Sequence, residues 1–421
     1  TRFSSPLCSP SPRGKIGNEA MTIEQLRTYK KILILGYARE GRATERFLQT
    51  YAPEVEILIA DQASDPHYLE RQQGADLVVK TPAIPKHLIT SPYTTATNIF
   101  FANAHRPIIG VTGSKGKSTT TALIAAILKE AGKNVQLVGN IGHAALEALC
   151  DKVSKDVTFV MELSSYQLDD VQYSPQVGVF VSFFPEHLDY HGSLEAYFDA
   201  KSHITTHQEE GDLFIYHPGY PLIADLARKT RAQTIPFLAE APFPFKDIPL
   251  KGEHNVQNIL GAITVCQELG VSLEVIERAV RAFQPLPYRL TNIGTYRGIT
   301  FYDDALATAP EATIFAIEAL PNVDTIFLGG TDRGYDFQAL ADAIGAHQIR
   351  NIVLFPDTGA KIEGLLRERG YEARFYHTTL MEEAVRCAYT FTTEGSICLL
   401  STASPSYRLW KNYEEKGDLF A

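Results

Sequence analysis

Gly113-Ser-Lys-Gly-Lys-Ser-Thr119 lies between an apolar run, Pro107-Ile-Ile-Gly-Val-Thr112, and a stretch of helical character from Lys117 to Lys129. These residue types at this spacing suit a phosphate. Gly113 and Gly116 let the backbone curl, so that successive N–H groups from Ser114 and Lys115 to Thr119 can face anionic oxygens at a helix start. Lys117 would reach the β- and γ-phosphates, and the Ser118 hydroxyl would ligate Mg2+. The complete Walker A spacing is not met, because Val111 rather than glycine stands five residues before Gly116. A glycine-rich turn with two solvated lysines has the same composition. The intact Gly-Lys-Ser-Thr between strand and helix favours a nucleotide.

Two further segments could handle a metal ion beside that loop. In Met161-Glu-Leu-Ser-Ser-Tyr-Gln-Leu168, Glu162 ends an apolar strand. A carboxylate there is costly unless it is paired or meets a cation. Alone it would read as an exposed strand-end glutamate; beside a phosphate loop, Mg2+ with its preference for oxygen becomes the better reading. Phe184-Pro-Glu-His-Leu-Asp-Tyr-His-Gly192 offers His187, Asp189 and His191. Histidines four apart on a helix suit zinc, but this segment follows a strand, contains Pro and Gly, and has no cysteine or third histidine at suitable spacing. Lys201, in an expected helix Leu194 to Ser202, reads by default as a surface lysine.

Downstream, Gly252-Glu-His-Asn-Val-Gln-Asn258, Arg289 and Asp303-Asp304 could contact a nucleotide. Amides can recognise purine edges and a carboxylate can accept a ribose hydroxyl. Caps, turns and surface ion pairs are the plain alternatives for each.

The elements that must position these groups form an α/β pattern. Lys31-Ile-Leu-Ile-Leu-Gly36, a helix-like Arg42 to Leu48, and Val55 to Ala60 ending at Asp61 read as a βαβ unit, hence a small Rossmann-like first domain. Gly36-Tyr-Ala-Arg-Glu-Gly41 is a loose glycine loop, either a tight turn or an anion site. Strands at Pro107 to Thr112, Thr158 to Leu163, Val177 to Phe183 and Asp212 to Tyr216 make a central P-loop ATPase-like α/β domain. Ala241 to Pro249 is a proline-rich connection and Asn255 to Leu269 a helix. After Pro285-Leu-Pro-Tyr-Arg289, strands at Ile299 to Tyr302, Thr325 to Leu328, Asn351 to Phe355 and Ser396 to Ser401 alternate with helices, which implies a third, Rossmann-like sheet that is largely parallel. The expected divisions are a tail at 1–20, rich in Ser, Pro and Gly and either expression-derived or disordered, then 21–103, 104–287 and 288–421.

Composition narrows the class. In 421 residues there are 39 basic and 49 acidic side chains, a formal charge of −10, and no long basic run. Nucleic acid and anionic membrane surfaces are thereby disfavoured as partners. The apolar runs fall far short of the ~20 residues of a membrane span. Cys8, Cys150, Cys266, Cys387 and Cys398 are scattered and odd in number, which suits reduced thiols in a cytoplasmic protein.

Taken in order, these segments resemble the Mur ligase family of peptidoglycan synthesis, from about Lys31 to Phe420. The most specific pieces are Gly-Ser-Lys-Gly-Lys-Ser-Thr at 113, Gly139-Asn-Ile-Gly142, Glu162-Leu-Ser-Ser-Tyr-Gln-Leu168, His187-Leu-Asp-Tyr-His-Gly192 with Ala200-Lys201, His254-Asn-Val-Gln-Asn258, Leu286-Pro-Tyr-Arg289 and Ser401 to Phe420. The resemblance implies a monomeric, ADP-forming acid–amino-acid ligase using ATP and Mg2+, with UDP-N-acetylmuramoyl-L-alanine and D-glutamate as substrates. It implies ATP on the loop of Lys117 and Ser118, Mg2+ at Ser118, Glu162, His187 and Lys201, and a carbamylated Lys201. Carbamylation turns a cation into an anion able to help hold Mg2+. Asn140 and His187 would lie near the muramoyl substrate, and Asn258, Arg289 and Asp304 against the nucleotide. Thr308, Arg333, Ser406 and Tyr413 would meet the amino acid, and the Gly36 loop with Asp61 and Thr81-Pro82 would hold the UDP end.

Three departures from the family pattern bear on the amino acid. Leu306 replaces a lysine within Asp303-Asp-Ala-Leu-Ala-Thr308, Ser401-Thr-Ala403 replaces Ser-Pro-Ala, and Arg333 replaces a lysine with a planar fork. A Mur-type ligase for another amino acid, a folate-type acceptor and a nucleotide-binding protein without turnover are the alternatives.

Overall fold

The computed structural model describes residues 21–151, 156–246, 248–250, 252–406 and 408–421, apart from the side chains of Asp189 and His254. The tail expected at 1–20 lies outside these residues, as does Cys8. Cys150, Cys266, Cys387 and Cys398 are free thiols.

Three sheets organise the chain. The first contains β1 (Lys31–Leu35), β2 (Glu56–Ala60), β3 (Leu77–Lys80) and β4 (Tyr93–Thr95), in the order β2-β1-β3-β4 and all parallel. The second contains β5 (Ile108–Thr112), β6 (Val135–Gly139), β7 (Thr158–Glu162), β8 (Val177–Phe180), β9 (Leu213–Tyr216) and β10 (Gln233–Pro236). Its order is β10-β9-β8-β5-β7-β6, again parallel. The third contains β11 (Thr291–Tyr296), β12 (Ile299–Asp303), β13 (Val323–Leu328), β14 (Asn351–Leu354), β15 (Arg374–His377) and β16 (Ile397–Leu400). Its order is β11-β12-β16-β13-β14-β15, with only β11 antiparallel to its neighbour.

Sequence logic explains the central strands. β5, β8, β13, β14 and β16 are buried throughout, and β7 in all but Thr158; they read as largely apolar runs, as strands covered by helices on both faces do. β8 stops at Phe180, short of the expected Phe183. The reason is tertiary: the following Ser182 turns to bond Lys115, 67 residues earlier, so its backbone leaves the ladder.

The chain forms two compact units, Thr1–Asp247 with Gln257–Ala282, and Ile248–Val256 with Phe283–Ala421. In the first, one apolar core runs from β1 and the helix Arg39–Tyr51 to β7 and the helix Leu194–Thr206, with Phe100 and Phe159 edge-on at 5.1 Å. In the second, separate clusters fill the two faces of the third sheet. Among the described residues no helix is long and apolar enough to cross a membrane.

Open parallel sheets bind ligands beyond the carboxyl ends of their strands, where the strand order reverses direction. Those points lie between β1 and β3, around β5, and between β13 and β16. The residues that follow these strands are the glycine loop at 36, the loop at 113, and the segments 329–334 and 401–406.

Candidate active site

Residues 113–116 leave β5 and enter the helix Lys117–Glu130 through Gly116, whose φ is +83°. A Cβ at Gly116 would lie 2.1 Å from Asn258 Oδ1, so both the backbone and the neighbouring amide demand glycine. Ser182 holds the loop from outside: its Oγ accepts from the Lys115 amide at 2.9 Å and donates to the Lys115 carbonyl at 2.7 Å. Ser114 N donates to Ser182 O at 2.8 Å, and Ser114 Oγ donates to Phe184 O at 2.9 Å. Ser114 and Lys115 therefore shape the loop through its own scaffold. Ser118 and Thr119 are buried at the helix start, and Gly116 supplies no side-chain cap there. Lys117 is half-buried, and its Nζ donates to the carbonyls of Gly113 and Ser114 at 2.9 and 2.8 Å.

The expected surface lysine at 201 is the reverse of exposed. Lys201 is 1% exposed, its Nζ donates to Gly113 O at 2.8 Å and lies 4.8 Å from the Tyr197 ring centroid. Helix periodicity turns this face onto the sheet; a local reading of the segment cannot show that. Burial, with Lys117 beside it, holds the Lys201 ammonium well below its ordinary range.

Glu162 is likewise buried, at 1% exposure, against the default of a strand-end surface group. Its Oε1 accepts from Asn140 Nδ2 at 2.6 Å, and the Asn140 amide donates to Glu162 O at 3.1 Å. Oε2 is buried without a hydrogen-bond partner. An orphaned carboxylate oxygen at this depth fits a cation. Among the described residues no group of three or more His, Cys, Asp or Glu gathers as a metal cage. One or two protein ligands plus phosphate oxygens are what Mg2+ uses.

His187 has a φ of +54° and begins the helical turn Leu188–His191. Its Nδ1 shares a proton with Tyr166 Oη at 2.9 Å. Burial, then Lys117, Lys201 and Lys115 against the opposing pull of Glu186, lowers its pKa to about 4. The ring is neutral at pH 7, and Nε2 can ligate a metal when Nδ1 carries the proton to Tyr166. His191 Nε2 instead faces Ser165 Oγ at 3.0 Å.

Glu186 carries a role the sequence reading did not assign. Its Oε1 lies 2.5 Å from Lys115 Nζ. Burial pushes this carboxyl up, but Lys115 and Lys117 outweigh burial and hold it below its ordinary range. Its position directly before His187 was the available signal. Tyr197, whose Oη lies 3.1 Å from Ser114 Oγ, gave none.

Around Gly36, Asp61 accepts from the amides of Tyr37 at 2.5 Å and Ala63 at 2.8 Å, so it builds the turn itself. Arg39 donates to the carbonyls of Gly139, at 3.3 Å, and Gly142. Gln167 Nε2 donates to Glu40 Oε1 at 2.7 Å. The first sheet's loop is thereby tied to the segments that carry Asn140 and Glu162.

Asn258 is buried in the first unit, accepting from Thr120 Oγ1 at 3.4 Å. Arg289, Asp304, Thr308, Arg333, Ser406 and Tyr413 belong to the second unit. There Asp304 is buried; its Oδ2 accepts from Ser401 Oγ at 2.8 Å and its Oδ1 from the Leu290 amide at 3.2 Å. Burial raises its pKa to about 7 despite Ser401 and Arg289. A cavity of about 270 Å³ is lined by Arg289, Asn255, Asn292 and Tyr302 among others. Ser406 is buried at the end of the loop after β16, Thr308 and Tyr413 are half-buried, and Arg333 is exposed. Tyr413 meets Tyr288 edge-on at 5.8 Å. Lys416, which accepts no role from the sequence reading, is buried beneath Ser406.

Residues 111–241 match the Mur ligase middle domain. Over 93% of this chain and 96% of the relative, identity to the UDP-N-acetylmuramoylalanine–D-glutamate ligase of Geobacillus sp. (strain WCH70) is 33%. The chain belongs to the Mur ligase family. Identity is also 33% to the UDP-N-acetylmuramoyl-L-alanine–L-glutamate ligase of Salinispora tropica, over 95% of this chain and 98% of that one. The fold of the UDP-N-acetylmuramate–alanine ligase of Thermotoga maritima superposes with a TM-score of 0.61 at 18% identity, covering 93% of this chain and 98% of that one. Family membership makes the protein an ATP-dependent ligase.

Proposed function

We propose that this enzyme adds D-glutamate to UDP-N-acetylmuramoyl-L-alanine through an acyl-phosphate, in the cytoplasm. The observation that carries the reading is the 33% identity with a D-glutamate ligase over 93% of the chain. The equally similar L-glutamate ligase makes the L enantiomer the second reading.

The alanyl carboxylate attacks the γ-phosphorus of ATP, ADP leaves, and the amine of glutamate then displaces phosphate from the acyl carbon. Lys117 would turn from the carbonyls of Gly113 and Ser114 to the transferring phosphoryl group, whose charge it offsets. The amides from Lys117 to Thr119 would bind phosphate oxygens. Mg2+ would be held by Ser118, Glu162 and His187, and would supply charge neutralisation at the phosphates. Asn140 fixes Glu162 for that task. Lys201, whose ammonium burial and the nearby Lys117 disfavour, is suited to take up CO2 as a carbamate, whose negative charge would favour the metal beside it. Asn258, Arg289 and Asp304 would bind the nucleotide, and Thr308, Arg333, Ser406 and Tyr413 the amino acid.

The deciding experiment is ADP release with UDP-N-acetylmuramoyl-L-alanine and each of D-glutamate, L-glutamate, L-lysine and L-alanine. D-glutamate dependence is expected. Preference for L-glutamate selects the second reading, and no amino-acid dependence overturns both.

A further inference from the structure

Lys416 lies in the helix Tyr413–Phe420 and is 1% exposed. Its Nζ donates to Thr402 Oγ1 at 2.7 Å and to Ser406 Oγ at 3.2 Å. Buried Asp303 and Asp304 favour its charged form, against burial. The two hydroxyls stand at either end of the loop after β16. Within that loop Ala403 holds a φ of +56°, and Ser404 Oγ bonds Thr358 Oγ1 at 2.8 Å. The loop is also joined to the one after β13: Gly329 N donates to Thr402 O at 2.9 Å and Thr331 N to Pro405 O at 2.5 Å. One ammonium thus braces the loop after β16, which backbone bonds join to the loop after β13, at the reversal of strand order in the third sheet.

An ammonium has only donors, so both hydroxyls must present lone pairs to it. Thr402 spends its own proton on Ser404 O at 3.0 Å. Among the described residues Ser406 Oγ donates only over a long approach to Ser404 O, at 3.4 Å. Its proton is therefore available to an acceptor such as a carboxylate. We propose that Lys416 is a positioning residue for the amino-acid substrate, fixing the loop Ser401–Ser406 and setting the Ser406 hydroxyl as a donor toward a substrate carboxylate. This rests on the reading of Ser406 as an amino-acid contact.

The test compares KM for glutamate and for ATP, by ADP release, in Lys416→Met, Lys416→Arg, Thr402→Val and Ser406→Ala. Loss of a charged hydrogen bond predicts a rise of about tenfold or more in KM for glutamate in Lys416→Met, with no matching rise for ATP and substantial recovery in Lys416→Arg. Thr402→Val, which removes one acceptor and keeps the shape, should move KM for glutamate in the same direction and decides the matter should Lys416→Met fail to fold. Impaired Ser406→Ala with unaltered Lys416→Met or Thr402→Val overturns the positioning role alone. Unaltered Ser406→Ala removes the premise and overturns the inference with it. Absence of ADP release from the unsubstituted protein with either glutamate overturns the ligase reading itself.

Discussion

Lys117 and Lys201 donate to the same carbonyl oxygen, that of Gly113, at 2.9 and 2.8 Å. Two ammonium groups on one acceptor repel each other, and the buried one yields its proton more readily. A neutral amine is the form that reacts with CO2. Lys201→Ala is expected to lose at least about a hundredfold in turnover, the scale of one electrostatic contact to the reacting group. A short carboxylate such as formate should restore part of it, and a 13C carbamate signal should appear in the unsubstituted protein under labelled CO2. Full activity in Lys201→Ala would rule the role out.

Lys117 carries a separate expectation. Lys117→Ala removes a cation from the start of the helix while leaving the apolar core untouched. Turnover should fall about a hundredfold or more, with the thermal midpoint close to that of the parent. Parental rates of ADP formation would end the phosphate-loop assignment.

Glu162 has one oxygen bonded to Asn140 and one without a hydrogen-bond partner. Glu162→Gln keeps the shape and the bond to Asn140 but removes the charge. The Mg2+ concentration for half-maximal ADP release should rise about tenfold or more, without loss of thermal stability in the metal-free protein. An unchanged Mg2+ dependence would exclude Glu162 as a ligand.

Asp304 makes stability depend on pH. Its folded pKa is about 7 against an ordinary 3.8, because burial disfavours the anion. Between those values the folded state holds more protons than the unfolded one, so stability falls as pH rises. At about 1.4 kcal/mol per unit over about three units, the contribution lost is on the order of 4 kcal/mol. Asp304→Asn should gain stability relative to the parent between pH 4.5 and 8, measured by urea unfolding. A difference between the two proteins that stays constant over that range would contradict the assignment.

Local pattern was enough for the central strands, the helix after residue 116 and the loop between them. Apolar runs bounded by glycine carry their own meaning, and the positive φ of Gly116 is written in its residue type. The short strands β3, β4, β6, β10, β11 and β15 were missed, since three to six residues without a clear period carry little signal. The end of β8 was misplaced because Ser182 belongs to the phosphate loop, a partner 67 residues away.

What the sequence alone determined is the chemistry on offer: a phosphate loop, a carboxylate at a strand end, a histidine, a lysine, and the family those segments resemble. The tertiary structure decided which of them act as buried groups. Taken alone, Glu162 and Lys201 read as surface charges, and Lys416 has no assigned role; each is 1% exposed. Burial is a property of what packs around a residue, and those neighbours arrive from distant strands and helices. Only when β5, β7 and the helix Leu194–Thr206 are brought together does Lys201 meet Gly113, 88 residues earlier in the chain. Only when the C-terminal helix packs beneath the loop after β16 does Lys416 acquire the hydroxyls of Thr402 and Ser406.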